Sequence, residues 1–323
     1  MKHVSILVPE RAVLAAVDDP RHVFSMVNSL RGQDGRKPVF DINLVGLKKE
    51  MRLHNRSFSV HTDALLSDVE RTDLIFIPAF DGPFEETLER NKELIPWIVE
   101  QYRRGAEVVS LCVGAFLLAR TGLLDGRKCS THWRAAEEFR RMFPQVDLQT
   151  DRIITEEDGI YTSGGATSYW NLLIHLVEKF TDRETAILTS KVFAIDLKRD
   201  SQSQFIIFKG QLAHGDEDVK KAQKFIENNF QEKITVDELS EKLALSRRSL
   251  ERRFKKATSN TINEYIRRVK IEAAKKSFET SRKNITEVML DVGYSDTKAF
   301  REIFKKLTGM TPLDYRNKYN KEI

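Results

Sequence analysis

One pattern occurs twice in the last third of this 323-residue chain. Phe254-Lys255-Lys256-x-Thr258 followed by Tyr265 recurs as Phe304-Lys305-Lys306-x-Thr308 followed by Tyr315, each matched position displaced by 50 residues. A constant displacement over a whole unit marks a duplicated supersecondary element, which limits the segment to folds built from two copies of one small motif. Each copy reads as a short apolar helix, a tight turn and a longer basic helix, which is the pattern of a helix-turn-helix. Two such units in one small domain can present two recognition helices to successive turns of one DNA face. The segment is therefore expected to read DNA.

In the first copy, Val236, Leu239 and Leu243 mark one face of a short helix, Ala244-Leu245 form the turn, and Ser246 suits the cap of the next helix. Leu250 and Phe254, four apart, anchor that helix to the core. This leaves Arg247, Arg248, Ser249, Glu251 and Arg252 as candidates for base edges and phosphates. In the second copy Val288, Met289 and Val292 supply the apolar face, Gly293 the turn, and Ser295 or Asp296 the cap. Phe300 and Phe304 are the anchors, and Thr297, Lys298, Arg301 and Glu302 are the matching reading positions. A long helix over about 262–278 joins the copies; its Arg267, Arg268 and Lys270 either touch phosphates or belong to a spacer.

Charge supports this division. Residues 215–323 hold 25 Lys and Arg against 18 Asp and Glu, a net of +7, while the remainder carries 28 against 30, a net of −2. Positive charge gathered on the segment with the repeat suits a phosphate backbone.

The first half alternates apolar runs with helical patterns. Residues 4–8, 40–45, 74–78 and 108–111 read as strands buried on both faces, with further strands at 153–156 and 160–163. Helices are expected at 21–30, 91–104, 114–120, 168–180 and 184–195. This order predicts an α/β doubly wound, flavodoxin-like parallel sheet at residues 1–197, a connector at 198–214, and an all-α domain with two helix-turn-helix units at 215–323. With only two cysteines, Cys112 and Cys129, a disulfide framework is not expected, and no apolar run is long enough to span a bilayer. The first residues read as a strand and not a signal peptide, so a cytoplasmic protein with no membrane partner is expected. The seven histidines show no metal-ligand spacing, and no glycine-rich phosphate loop follows a strand, so neither metal nor cofactor is expected.

The segment 215–323 resembles the AraC/XylS family of bacterial transcription regulators. The resemblance rests on Ile285-Thr-Glu-Val-Met-Leu-Asp-Val-Gly-Tyr-Ser-Asp, then Phe300, Phe304-Lys-Lys-Leu-Thr-Gly309, Thr311-Pro312 and Tyr315-Arg316. It implies binding of double-stranded promoter DNA through adjacent major grooves. Arg248, Glu251 and Arg252 would read the first site, with Thr297, Lys298 and Glu302 at the second. It also brings in RNA polymerase as a partner and activation or repression as the outcome.

In the first half, Val108-Val109-Ser110-Leu111-Cys112-Val113-Gly114-Ala115-Phe116 places a lone cysteine between a strand and a helix. Such a turn exposes a side chain at the sheet edge, beside a helix N-terminus that lowers a thiol pKa. This part resembles the ThiJ/PfpI branch of the class-I glutamine-amidotransferase-like superfamily. The run 117–127, Thr131-His132-Trp133 and Thr162-Ser163-Gly164-Gly165 resemble its GlxA-like subgroup, which is fused to AraC-type domains. Peptidase-like members carry histidine after the cysteine where this chain has Val113. The glutamate that many members supply from the loop after the first strand is matched here only by Glu10, several residues too early in a region 10–16 that is otherwise mostly aliphatic. The catalytic set is incomplete, so no enzyme activity is expected; the alternative is a cysteine-dependent hydrolase or glyoxalase-like enzyme fused to a DNA-binding module. His132 either approaches Cys112 or shapes a pocket by hydrogen bonding. Ligands of open α/β sheets bind beyond the C-terminal strand ends, here Phe80, Cys112, Val113, His132, Trp133 and Gly165. The resemblance implies a small-molecule effector, with amino acids and quaternary ammonium compounds as candidates. Dimerisation through the first domain is expected, since paired half-sites mirror paired subunits.

Overall fold

The computed structural model describes residues 1–53, 57–197, 201–212 and 214–320, and its chain divides into two compact units, Met1–Gln202 and Ser203–Ile323.

The first unit contains strands β1 (Lys2–Leu7), β2 (Phe40–Gly46), β3 (Glu50–Leu53), β4 (Phe58–His61), β5 (Ala64–Leu65), β6 (Leu74–Ile77), β7 (Glu107–Ser110), β8 (Lys128–Cys129), β9 (Asp147–Leu148), β10 (Ile154–Glu157) and β11 (Ile160–Ser163). Its helices are α1 (Leu14–Gln33), α2 (Phe84–Arg90), α3 (Leu94–Arg103), α4 (Ala115–Arg120), α5 (Ala136–Met142), α6 (Tyr169–Phe180) and α7 (Arg183–Val192). Seven strands form one sheet in the order β10-β11-β7-β6-β1-β2-β5, parallel except for the β10–β11 hairpin. β1 lies inside the sheet between β2 and β6, in register from Lys2 opposite Phe40 to Leu7 opposite Val45 and, on its other side, from Val4 opposite Leu74.

Successive residues of a strand face opposite sides, and β1 feeds two cores. Val4, Ile6 and Val8 pack with Phe24 of α1 and Leu172, Leu173 and Val177 of α6. Leu7 faces the other layer, with Leu94 and Ile98 of α3, Phe116 of α4 and Phe139 of α5. Helices on both faces of a parallel sheet make the doubly wound architecture expected.

The helix boundaries differ in two instructive places. α1 starts at Leu14, not near residue 21, and runs through Pro20. Pro20 removes one backbone donor, but the apolar face continues on both sides of it through buried Ala16, Val17, Val23 and Phe24. The helix expected at 91–104 is α3, which begins at Leu94, and a further helix, α2, precedes it, with buried Asn91 in the break between the two. Its side chain accepts from the Glu10 N–H at 2.8 Å and donates to the carbonyls of Thr87 and Glu10. That wiring ties the break to the loop after β1.

The second unit is helical: α8 (Glu217–Asn229), α9 (Val236–Lys242), α10 (Arg247–Thr258), α11 (Ile262–Thr280), α12 (Ile285–Asp291), α13 (Thr297–Thr308) and α14 (Pro312–Tyr319). It has two cores. Val219, Ile226, Leu239, Leu250 and Phe254 gather around Ile262, Tyr265 and Ile266 of α11. Val288, Met289, Phe300, Phe304 and Tyr315 gather around Ile271, Ala274 and Phe278 of the same helix. α11 is thus shared, its first half belonging to one core and its second half to the other.

The expected connector is largely incorporated into the two units. Gln202 is buried in the first, where its side chain donates to the carbonyls of Thr131 and Thr150 at 3.0 and 2.8 Å. In the second, Phe208 N–H donates to Glu272 at 3.1 Å, and buried Lys275 bonds both Glu272 and the Ile206 carbonyl. Residues 198–200 and 213 of that segment lie outside the described residues.

Among the described residues, no helix is long and apolar enough to cross a membrane.

Candidate nucleic-acid interface and cysteine turn

The duplication is visible in hydrogen bonds as well as in sequence. Ser246 caps α10 by accepting from Ser249 N–H, and Asp296 caps α13 by accepting from Ala299 N–H. Both helices end on a left-handed residue, Ser259 at φ 56° and Gly309 at φ 75°. At each end a buried threonine, Thr258 or Thr308, donates to the carbonyl four residues earlier at 2.8 Å and accepts from the N–H two residues later. Tyr265 and Tyr315 each reach a glutamate, Glu227 at 2.6 Å and Glu279 at 2.5 Å. These bonds satisfy the orphan donors and acceptors of the helix ends and fix both recognition helices on their cores.

The repeat departs from a uniform 50 at the turn. Four residues separate α9 from α10, but five separate α12 from α13, so the earlier helices are displaced by 49. The left-handed turn residue is Ala244 at φ 52° in one copy and Gly293 at φ 74° in the other.

With Leu250, Phe254, Phe300 and Phe304 turned inward, the expected reading positions fall on the outer faces. Arg247, Arg248, Glu251, Arg252, Thr297, Lys298, Arg301 and Glu302 are exposed, and Ser249 is half-buried at its capping bond. Arg247 is engaged within its own unit, with Asp237 and Glu251 both at 3.2 Å. Arg253 points to the other side and clamps Asp216 and Asp218 at 2.5 and 3.0 Å. The Arg253 hydrogen bond is the main cause that holds the Asp216 carboxyl below its usual range.

Of the two readings left open for the joining helix, Lys270 fits the spacer. Lys270 is not a phosphate contact: it is buried, and its ammonium donates to the carbonyls of Gly293 at 3.0 Å and Glu232 at 3.4 Å. Burial pushes its pKa down. Its position was readable, since Ile266, Lys270, Ala274 and Phe278 form one buried stripe at four-residue spacing. Arg268 is half-buried with its guanidinium 5.7 Å from the Phe208 ring centre, which leaves Arg267 as the exposed member of the three.

In the first unit, Cys112 occupies the strand-to-helix turn after β7 with φ 56°, a left-handed conformation that β-carbon-bearing residues rarely adopt. Gly114 makes this turn possible, because a Cβ there would lie 2.5 Å from the Ile77 carbonyl oxygen. The Cys112 N–H donates to Ser163 Oγ at 3.2 Å, and its carbonyl accepts from Thr131 at 2.9 Å. The turn has the shape of a nucleophile elbow, but its side chain is only 6% exposed. Burial pushes the thiol up to about 12, the reverse of the activation expected from the following helix, which is only 6 residues long. Cys129 is buried, with its thiol likewise pushed up to about 12.

His132 is half-buried, and its Nδ1 accepts from Arg134 N–H at 3.1 Å, capping a short turn. Burial, then the Arg134 charge, lowers its pKa. Trp133 stands beside it, ring centres 5.6 Å apart, and is half-buried. Phe80 is buried in the core next to Phe84, and Val113 is half-buried between the two cores. Gly165 N–H donates to Gln202 Oε1 at 2.8 Å, and a Cβ on Gly164 would meet Gln202 Nε2 at 2.6 Å. Gln202 therefore lies directly against this glycine pair. No local signal in the sequence announces that contact, which joins residues 37 apart.

A model described as "DJ-1/PfpI family" matches residues 24–179, and one described as "Helix-turn-helix domain" matches residues 239–318. The HTH-type transcriptional regulator GbdR of Pseudomonas aeruginosa is 29% identical over 226 residues, covering 70% of this chain and 61% of that protein. The chain thus spans about three fifths of that relative's length. The HTH-type transcriptional regulator CdhR of the same organism is 25% identical over 268 residues, covering 82% of this chain and 78% of that protein. The crystal structure of an AraC family transcriptional regulator from Pseudomonas putida superposes with a TM-score of 0.51 at 18% identity, covering 60% of this chain and 100% of that one; this likeness concerns the fold. The two matched segments thus give the chain a DJ-1/PfpI-type domain followed by a C-terminal helix-turn-helix domain.

Proposed function

We propose that this chain is a sequence-specific DNA-binding transcription regulator controlled by a small metabolite. The observation that carries the reading is the pair of capped, core-anchored helices α10 and α13, each presenting exposed charged side chains on its outer face. In this reading they enter successive major grooves of promoter DNA, and exposed basic residues supply the salt-dependent phosphate attraction. The protein acts in the cytoplasm as a homodimer and communicates with RNA polymerase.

The DJ-1/PfpI domain serves as the sensor and performs no catalysis. Supporting this, the buried Cys112 thiol stays protonated at neutral pH, and among the described residues no hydrogen bond joins it to His132. The effector site is assigned to the C-terminal edge of the sheet, with Phe80, Cys112, Val113, His132, Trp133 and Gly165 as its residues. Half-buried Trp133 offers an aromatic face to a cationic ligand, which agrees with an amino acid or quaternary ammonium effector. The left-handed Cys112 turn favours one second reading, a cysteine-dependent hydrolase or glyoxalase-like enzyme.

Binding of promoter fragments by purified protein across a salt series tests the function, beside the double change Arg252→Ala plus Lys298→Ala. Selective, salt-weakened binding that the double change abolishes is expected. Absence of any preferred fragment contradicts it. Turnover that disappears in Cys112→Ala while DNA binding persists would establish the enzyme reading instead.

A further inference from the structure

What the duplication kept and what it changed separate along the recognition helices. Both helices keep a basic residue at the second position (Arg248 and Lys298), buried anchors at the fourth and eighth, and exposed lysines at the tenth (Lys256 and Lys306). The fifth and sixth positions hold the same two charges in opposite order: Glu251-Arg252 in α10 and Arg301-Glu302 in α13. All four are exposed. Among the described residues, no ion pair holds Arg252, Arg301 or Glu302, whereas one oxygen of Glu251 is fixed by Arg247 at 3.2 Å.

Equivalent capping and equivalent anchors give a numbered position the same direction in both helices. Basic residues kept in both copies suit phosphates, which are the same under any sequence. The exchanged positions suit base edges, because the two side chains have opposite hydrogen-bonding capacity. An ionised carboxylate only accepts and pairs with the amino group of cytosine, while a guanidinium only donates and pairs with O6 and N7 of guanine.

We propose that Glu251-Arg252 and Arg301-Glu302 make the two subsites of one operator non-repeating, with cytosine and guanine exchanged at the two base pairs these positions meet. At the fifth position α10 selects cytosine on the strand it reads and α13 selects guanine; at the sixth the preferences are reversed. Arg247 is a positioning residue that holds Glu251, a role Thr297 cannot fill for Arg301. The inference rests on the DNA-reading function proposed above.

The test is selection by the full-length protein from a duplex library with a randomised central segment. Wild type is compared with Glu251→Arg plus Arg252→Glu and with Arg301→Glu plus Glu302→Arg. Each double change conserves net charge, so salt-dependent nonspecific affinity should persist and reports that the variant is folded. The expected result is exchange of cytosine and guanine in the subsite of the altered helix, by about tenfold in preference per position, with the other subsite unchanged. A single change, Glu251→Gln, should move the fifth-position preference from cytosine towards adenine. A wild-type operator of two identical subsites, or unchanged preferences in the folded doubles, overturns the assignment alone. Enrichment of no sequence by wild type overturns the DNA-reading function and this assignment together.

Discussion

The two helix-turn-helix copies reach the same local geometry by different means. The first turn uses Ala244, an L-residue held at φ 52°. In the second, Gly293 is obligatory for a reason beyond its φ of 74°, because a Cβ there would fall 2.0 Å from the Gln231 carbonyl oxygen. Lys270 donates to the carbonyls on both sides of that approach, Gly293 and Glu232. A duplicated motif can thus tolerate backbone strain where its turn is open, but not where a loop of the other copy presses on it. The second turn is the one that joins the two cores.

The largest test of that contrast is Gly293→Ala. Strain and overlap with backbone together should cost ~3 kcal/mol or more, read as a lower midpoint in denaturant unfolding of the full chain. A loss below ~1 kcal/mol, the ordinary scale of Gly→Ala in a left-handed turn, would show that the Gln231 loop yields easily.

Lys270→Met should follow, at about 1 kcal/mol near neutral pH, as two carbonyls lose a donor. Its pH dependence has a definite sign. Burial depresses the folded-state pKa, so the folded chain binds fewer protons than the unfolded one between that value and the ordinary lysine range. Stability from this group must rise with pH through that window. The advantage of wild type over Lys270→Met should accordingly widen on the alkaline side; a constant gap would contradict the buried placement.

Arg253→Ala probes the first copy alone and should have a smaller effect. Asp216 has a depressed carboxyl pKa, so the stability it contributes is present above the ordinary Asp range and is lost as pH falls through the folded value. Wild type and variant should converge in acid. Smallest of all, Ala244→Gly should change stability by less than ~1 kcal/mol, in the stabilising direction if release of strain exceeds the added unfolded-state entropy. A loss instead would mean that the alanine is not strained.

The recognition helices were legible because cap, anchor and exposed face are all local: Ser246 with Leu250 and Phe254, and Asp296 with Phe300 and Phe304. Lys270 stayed open between phosphate contact and spacer because its charge points one way and its place on a buried stripe the other. The doubly wound sheet was legible from its apolar runs, whereas the beginning of α1 was hidden by Pro20. The Cys112 turn was recognisable by spacing, but its burial depends on surroundings that no neighbouring residue encodes. Gln202 against Gly164 and Gly165 shows the same limit, since a residue expected in a connector contributes to the interior of a domain.

The length of α11 has a consequence of its own. Its 19 residues make a continuous rod of about 28 Å, with one core built on each end. Residue count along this rod therefore sets the rotational phase between α10 and α13. One inserted alanine in its middle would turn everything downstream by about 100° while leaving each copy's own turn and caps unchanged in sequence. α11 is the component whose length, rather than its composition, is under the strictest geometric constraint.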